Sequence, residues 1–166
     1  MSPRVWSLLV AGSVFALDRA TKLIIEHNVS VYDTHSVIPG FFDIVHAKNR
    51  GAAFGMFSDS DSQLRTFLLI GVSLAVLCFI SMLLLRPSRA GFSGSKLTTL
   101  GLALVLGGAI GNIYDRIVSG MVTDFLDFYH GSFHFAAFNV ADAAITVGAS
   151  ILLLDMWVTR GETARS

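Results

Sequence analysis

The sequence is poor in charge, poor in cysteine and without bias towards either sign. Of its 166 residues, 14% are charged and 53% are hydrophobic, whereas soluble domains carry about one quarter charged residues. A soluble domain of this size leaves much of its surface in water and needs polar groups to cover it. The shortage, with a mean hydropathy of +0.65, argues against a water-soluble enzyme and for lipid as the solvent. Lys+Arg and Asp+Glu number 12 each, so there is no basic excess to neutralise phosphates and nucleic-acid binding loses its electrostatic basis. The one cysteine, Cys78, excludes an intramolecular disulfide and argues against a cysteine metal cluster. In its apolar run it reads as a small buried hydrophobe. Internal repeats, low-complexity tracts and soluble-domain linkers are also missing.

What the chain does have is long apolar runs. A helix needs roughly 20 apolar residues to cross about 30 Å of hydrocarbon, and four windows meet that need: 5–25, 66–85, 97–114 and 136–154. Arg4 before the first run imitates a secretory signal, but Asp18-Arg19 stands where a small-residue cleavage site belongs, so it reads as a retained helix. The fold class predicted is an all-α membrane protein, a single domain over 1–166, with four transmembrane helices, a small extracytoplasmic β-sheet and a short interfacial helix.

An even number of spans puts both termini on one side. The segments on that side hold Arg4, Arg86, Arg89, Lys96, Arg160 and Arg165, while Lys48, Arg50 and Arg116 opposite are diluted among acids, so the termini are placed in the cytoplasm. The two larger connections then face outward. Within 29–57, Pro39-Gly40 separates Val37-Ile38 from Phe41-Phe42-Asp43-Ile44-Val45, which reads as a hairpin or sheet on the outer surface. The 119–135 connection carries Phe125, Phe128, Tyr129, Phe133 and Phe135, an aromatic set suited to headgroup level and to a short interfacial helix.

Ionisable side chains inside spans are costly and need partners or a functional reason. Asp142 falls about 9 Å below the outer end of the fourth window, three residues after Asn139; a helix starting late, with Asn139 as its cap, is the alternative. Asp18, Arg19 and Lys22 lie roughly 20 to 26 Å along the first span and Asp115 about 27 Å along the third. Asp18 and Lys22, four apart, share a face as an ion pair. Gly107 and Gly111 have small-xxx-small spacing for close helix packing. Asn49-Arg50-Gly51-Ala52-Ala53-Phe54 is a turn whose small residues allow close backbone approach.

Two close carboxylates at low dielectric share one proton, so one activates water while the other polarises a carbonyl or protonates a leaving amine. Asp18, Asp115, Asp124, Asp127 and Asp142 are the candidates. Burial favours Asp142; spacing alone does not choose its partner. His130 and His134, four apart, would face one metal on a helix, but His-Glu-x-x-His is absent and they read as surface histidines. A transporter or proton channel is the rival class. It needs polar groups at several depths, and the second span and the inner parts of the third and fourth are apolar apart from Ser and Thr.

Asp18-Arg19-Ala20-Thr21-Lys22, Asn49-Arg50-Gly51-Ala52-Ala53-Phe54, Gly107 to Arg116, Val122-Thr123-Asp124-Phe125 and Phe138 to Ile145 resemble, in order, the blocks of the lipoprotein signal peptidases, the aspartic-type signal peptidase II of bacteria. The resemblance implies a monomeric four-helix protease of the bacterial inner membrane that works near the outer leaflet, without metal or cofactor. Its substrates would be diacylglyceryl-modified prolipoproteins, cut immediately before the lipidated cysteine, and its other partners membrane phospholipids. By motif position it makes Asp124 and Asp142 the catalytic pair. Asp18, Lys22, Asn49, Gly51, Asn112, Asp115, Arg116 and Asn139 match the family's recurrent polar and glycine positions, with an implied role in substrate binding and active-site support. Arg19 stands where Gln is more usual, with a headgroup contact or snorkelling as its expected role, and Thr123 where an aliphatic residue is usual.

Overall fold

A computed structural model describes residues 2–50 and 95–163, with Gly71, Leu74, Ala75, Cys78, Ile80 and Met82 between them. Three of the apolar windows are helices: α1 (Pro3–Asn28), α2 (Lys96–Ser119) and α3 (Val140–Thr163). The window 66–85 lies outside the described residues except for those six isolated positions, all of them helical. Cys78 is exposed, not buried as expected: its thiol lies on the outer surface of an apolar run, where lipid can take the place of a protein core. α2 and the Val140–Val158 part of α3 are long and apolar enough to cross a membrane. On α1, Leu8, Leu9, Leu17, Leu23 and Ile24 stay exposed, as do Val147, Leu153, Leu154, Trp157 and Val158 on α3, apolar surfaces that suit contact with lipid.

α2 is the central helix and packs against both others. The glycines explain how closely. A Cβ on Gly107 would stand 2.6 Å from the Ala11 carbonyl oxygen of α1, and one on Gly108 would meet the Ala141 carbonyl of α3. Neighbouring glycines thus let two helix backbones touch α2 from different sides: the predicted pair Gly107 and Gly111 both meet α1, and Gly108, which that spacing leaves out, meets α3. Continuing from this contact, Ala11, Ile80, Leu102, Val105 and Leu106 form the apolar core.

The remaining residues build one antiparallel sheet in the order β1 (Thr34–Ile38), β2 (Phe42–Asn49), β3 (Val122–His130) and β4 (Phe133–His134). Pro39 and Gly40 turn the chain between β1 and β2: Gly40 has φ +80° and Phe41 N–H bonds the Ile38 carbonyl at 3.0 Å, the geometry that favours proline followed by glycine. The outward sheet expected from the first connection is therefore present over 34–49. The segment 119–135 differs from expectation. It is not an interfacial helix but the end of α2 and all of β3 and β4. Val122-Thr123-Asp124-Phe125 and Phe128-Tyr129 are β-branched and aromatic, and β2 offers them a strand edge, so pairing prevails over the aromatic anchor. The last helix also begins later than its window. Phe138 bridges to Leu126 of β3, and helical backbone starts only at Val140.

Candidate active site

The start of α3 carries the first site residue. Asn139 is its N-cap: the Asn139 Oδ1 accepts the Asp142 N–H at 2.9 Å, which satisfies one of the amides left free at a helix start. Asp18 of α1 takes a second, its Oδ1 accepting the Ala141 N–H at 2.9 Å. Asp142 consequently sits in the first turn of α3, half-buried, and not well down the helix as its window implied. The late-start alternative is the observed one.

Asp124 comes from β3. Its Oδ1 accepts Asn139 Nδ2 at 2.6 Å and its Oδ2 accepts Asn49 Nδ2 of β2 at 2.9 Å. One amide, Asn139, therefore binds the Asp124 carboxylate and starts the helix turn that holds Asp142. On the other side of Asp142, Asn112 Nδ2 of α2 donates to Oδ1 at 2.7 Å. The Asn112 oxygen accepts Lys22 Nζ at 3.2 Å, and this orients the amide with its donors towards the carboxylate.

Beneath the asparagines lies a charge cluster. Lys22, fully buried, contacts Asp18 Oδ2 at 2.8 Å and Asp115 Oδ2 at 2.7 Å, and Asp115 also pairs with Arg19 at 2.5 Å. Two carboxylates and two cations thus balance in a region that would not tolerate one alone. Arg19 is occupied by Asp115 and by the Tyr114 ring, 4.9 Å from its guanidinium carbon, which replaces the headgroup contact or snorkelling expected of it. Gly111 completes the fit, because a Cβ there would lie 2.6 Å from Asp18 Oδ2. The Arg116 guanidinium is within electrostatic reach of Asp142, Asp124 and Asp115.

Burial and the negative charge of Asp142 push the Asp124 carboxyl up to about 6, against the downward pull of the Asn49 and Asn139 hydrogen bonds and of Lys22. Such a group holds a proton readily beside a second carboxylate, the condition for paired acid–base work.

Of the residues singled out in the sequence, Asp18, Lys22, Asn49, Asn112, Asp115, Asp124, Asn139 and Asp142 join one network, with Arg116 beside it. Gly51 lies outside the described residues. Asp127 is not part of the network. Three residues from Asp124 along a strand, it points to the opposite sheet face, where His134 Nδ1 lies 2.8 Å from its Oδ2. His130 and His134 occupy different strands and not one helix turn, and among the described residues no three His, Cys, Asp or Glu side chains form a metal site. Glu26 and Lys48, which meet Thr123 behind the network, carry no local motif that marks them.

Residues 10–158 match the family described as Signal peptidase (SPase) II. The chain belongs to the signal peptidase II family. It is 51% identical over 147 residues to the lipoprotein signal peptidase of Solibacter usitatus (strain Ellin6076), covering 89% of this chain and 87% of the relative. With the lipoprotein signal peptidase of Maridesulfovibrio salexigens it shares 41% identity over 149 residues, 90% of this chain and 93% of the relative. A bacterial membrane enzyme solved by the in meso method at 2.3 Å resolution has a similar fold, with TM-score 0.81 and 26% identity over 94% of this chain and 90% of that one. Family membership makes the chain a peptidase, and the solved fold is that of a membrane enzyme.

Proposed function

We propose that the protein is an aspartic endopeptidase that removes the signal peptide from diacylglyceryl-modified prolipoproteins, cutting immediately before the lipidated cysteine. Asp124 and Asp142 form the dyad. The observation that carries this reading is the sharing of Asn139: its amide donates to the Asp124 carboxylate and its oxygen accepts the Asp142 N–H, so one side chain ties the Asp124 carboxylate to the backbone that carries Asp142. Asp124, the deeper group and the one pushed up to about 6, keeps the proton and polarises the scissile carbonyl. Asp142, half-exposed at the positive end of α3, takes a proton from the attacking water. The proton returns to the leaving amine, so no covalent intermediate is required.

The same reading supplies the setting. The 66–85 run is the remaining span of a four-helix bundle in the bacterial inner membrane, with both termini cytoplasmic, the sheet outside, and the dyad near the outer leaflet. The lipid chains of the substrate stay in the bilayer while the extended peptide crosses the sheet. The enzyme acts as a monomer, its partners being its substrate and membrane phospholipids.

The test is cleavage of a diacylated prolipoprotein by purified protein in detergent, beside Asp124→Asn and Asp142→Asn. Each variant is expected to stay folded and lose turnover by about a thousandfold or more. Near-normal cleavage by either removes it from the dyad. The unlipidated precursor is expected to resist cleavage, and a chelator to leave the rate unchanged; loss of activity restored by zinc would favour metal chemistry instead.

A further inference from the structure

Three side chains of α1 stand at successive i, i+4 positions, Asp18, Lys22 and Glu26, and therefore along one face. Each reaches a different element of the site. Asp18 holds the α3 amide of Ala141, Lys22 holds Asn112 of α2, and Glu26 holds the sheet. There Glu26 Oε1 accepts Lys48 Nζ at 2.8 Å and Thr123 Oγ1 at 2.6 Å, and Lys48 Nζ also donates to Thr123 Oγ1 at 2.9 Å. The three polar groups close a triangle.

Its place in the sheet gives the triangle a consequence. Lys48 and Thr123 are register partners across β2 and β3, just past the irregularity between Ile44 and Ala47 where the register shifts. Each is followed in sequence by a site residue, Asn49 and Asp124. Successive strand residues point to opposite faces, so the triangle anchors one face of the sheet while Asn49 and Asp124 meet on the other. Such an irregularity interrupts the ladder and bends and twists the strand locally, and the strand pair beside it bears a carboxylate whose partner is fixed to a separate helix.

We infer that Glu26, with Lys48 and Thr123, is a positioning triad: it ties the sheet to the helix that also anchors α3, and so sets the distance and height of Asp124 relative to Asp142. The inference rests on the dyad reading. α1 acts as a ruler, with Asp18 fixing the Asp142 end and Glu26 the Asp124 end about two turns away. None of the triad touches the reacting atoms.

The test is steady-state cleavage of a diacylated prolipoprotein, with its pH profile, by Glu26→Ala, Glu26→Gln, Lys48→Met and the exchanged pair Glu26→Lys/Lys48→Glu, with Asp124→Asn in the same series. Glu26→Ala and Lys48→Met are expected to lower kcat about ten- to a hundredfold, the scale of an ångström-sized misplacement, with KM changed less than about threefold. The alkaline limb of kcat/KM should move to lower pH as Asp124 drifts from Asp142 and towards water. Glu26→Gln keeps the acceptor oxygen and is expected to retain most activity, and the exchanged pair to recover part of the loss. Wild-type kcat and an unmoved limb in folded Glu26→Ala overturn the triad, as does a loss in Glu26→Gln equal to that in Glu26→Ala. Activity in Asp124→Asn would overturn the dyad instead, which separates the two failures.

Discussion

Near each end of α2 an acid of α3 meets a helix start, buried Asp155 at one and half-buried Asp142 at the other, and the contrast between them separates structure from chemistry. At the end formed by Ser95, which caps α2 by accepting the Thr98 N–H at 2.9 Å, Asp155 is met by the Ser95 hydroxyl at 2.8 Å and by the Thr98 hydroxyl. Hydroxyls and the positive end of a helix are favourable neighbours for a carboxylate. At the opposite end, about 20 Å away along α3, Asp142 shares its surroundings with Asp124, three asparagines and a knot of further charges. One end satisfies its acid; the other holds two acids in competition. The apolar core around Leu102, Val105 and Leu106 lies between them.

The largest expected effect breaks the two ends apart directly. Asp142→Asn should lower turnover by about a thousandfold, whereas Asp155→Asn should leave kcat within about twofold; equal losses in a cleavage assay would erase the distinction. Next comes Lys22→Met, which strands Asp18 and Asp115 without their shared cation. A loss of about 3–5 kcal/mol is expected, measured by denaturant or thermal unfolding in detergent, and large enough that poor accumulation in the membrane is itself an expected result.

Stability against pH gives the third contrast. With its folded carboxyl near 6 and an ordinary value of 3.8, Asp124 favours the folded state fully below about pH 4 and loses that contribution as the pH rises through 6. Asp124→Asn escapes the loss. Its stability relative to wild type should therefore climb between about pH 4 and 6 and level off above, by at most about 3 kcal/mol, apart from a constant offset for altered hydrogen bonds. A flat difference across that range would mean that the pair does not compete. The smallest effect belongs to the quiet end: Thr98→Val should cost about 1–3 kcal/mol and leave the pH profile of cleavage unchanged.

Much of this arrangement was legible from residue patterns. Apolar runs locate α1, α2 and α3, Pro39-Gly40 locates the turn, and an acid in a charge-poor run marks Asp142. Asp124 was recognisable only through its motif. The aromatic segment around it matches the composition of a membrane anchor as well as that of a strand, and once it is read as a helix the opposite facing of Asp124 and Asp127 is lost. Asp155 lies one residue beyond an apolar window, where an acid carries no mark of burial. Glu26, Lys48 and Thr123 are far apart in the chain, and nothing short of the folded sheet brings them together.

Asn139 places a helix boundary inside the site, and this limits how the gene can change. Residues can be added to the hairpin tip at Gly131 without altering how Asp142 is aimed. One residue gained or lost between Asn139 and Asp142 would turn the carboxylate about 100° around the helix axis and point it away from the sheet. Homologous chains should therefore vary in length before the asparagine and keep the three-residue step after it, a constraint on insertions and deletions that no single substitution would reveal.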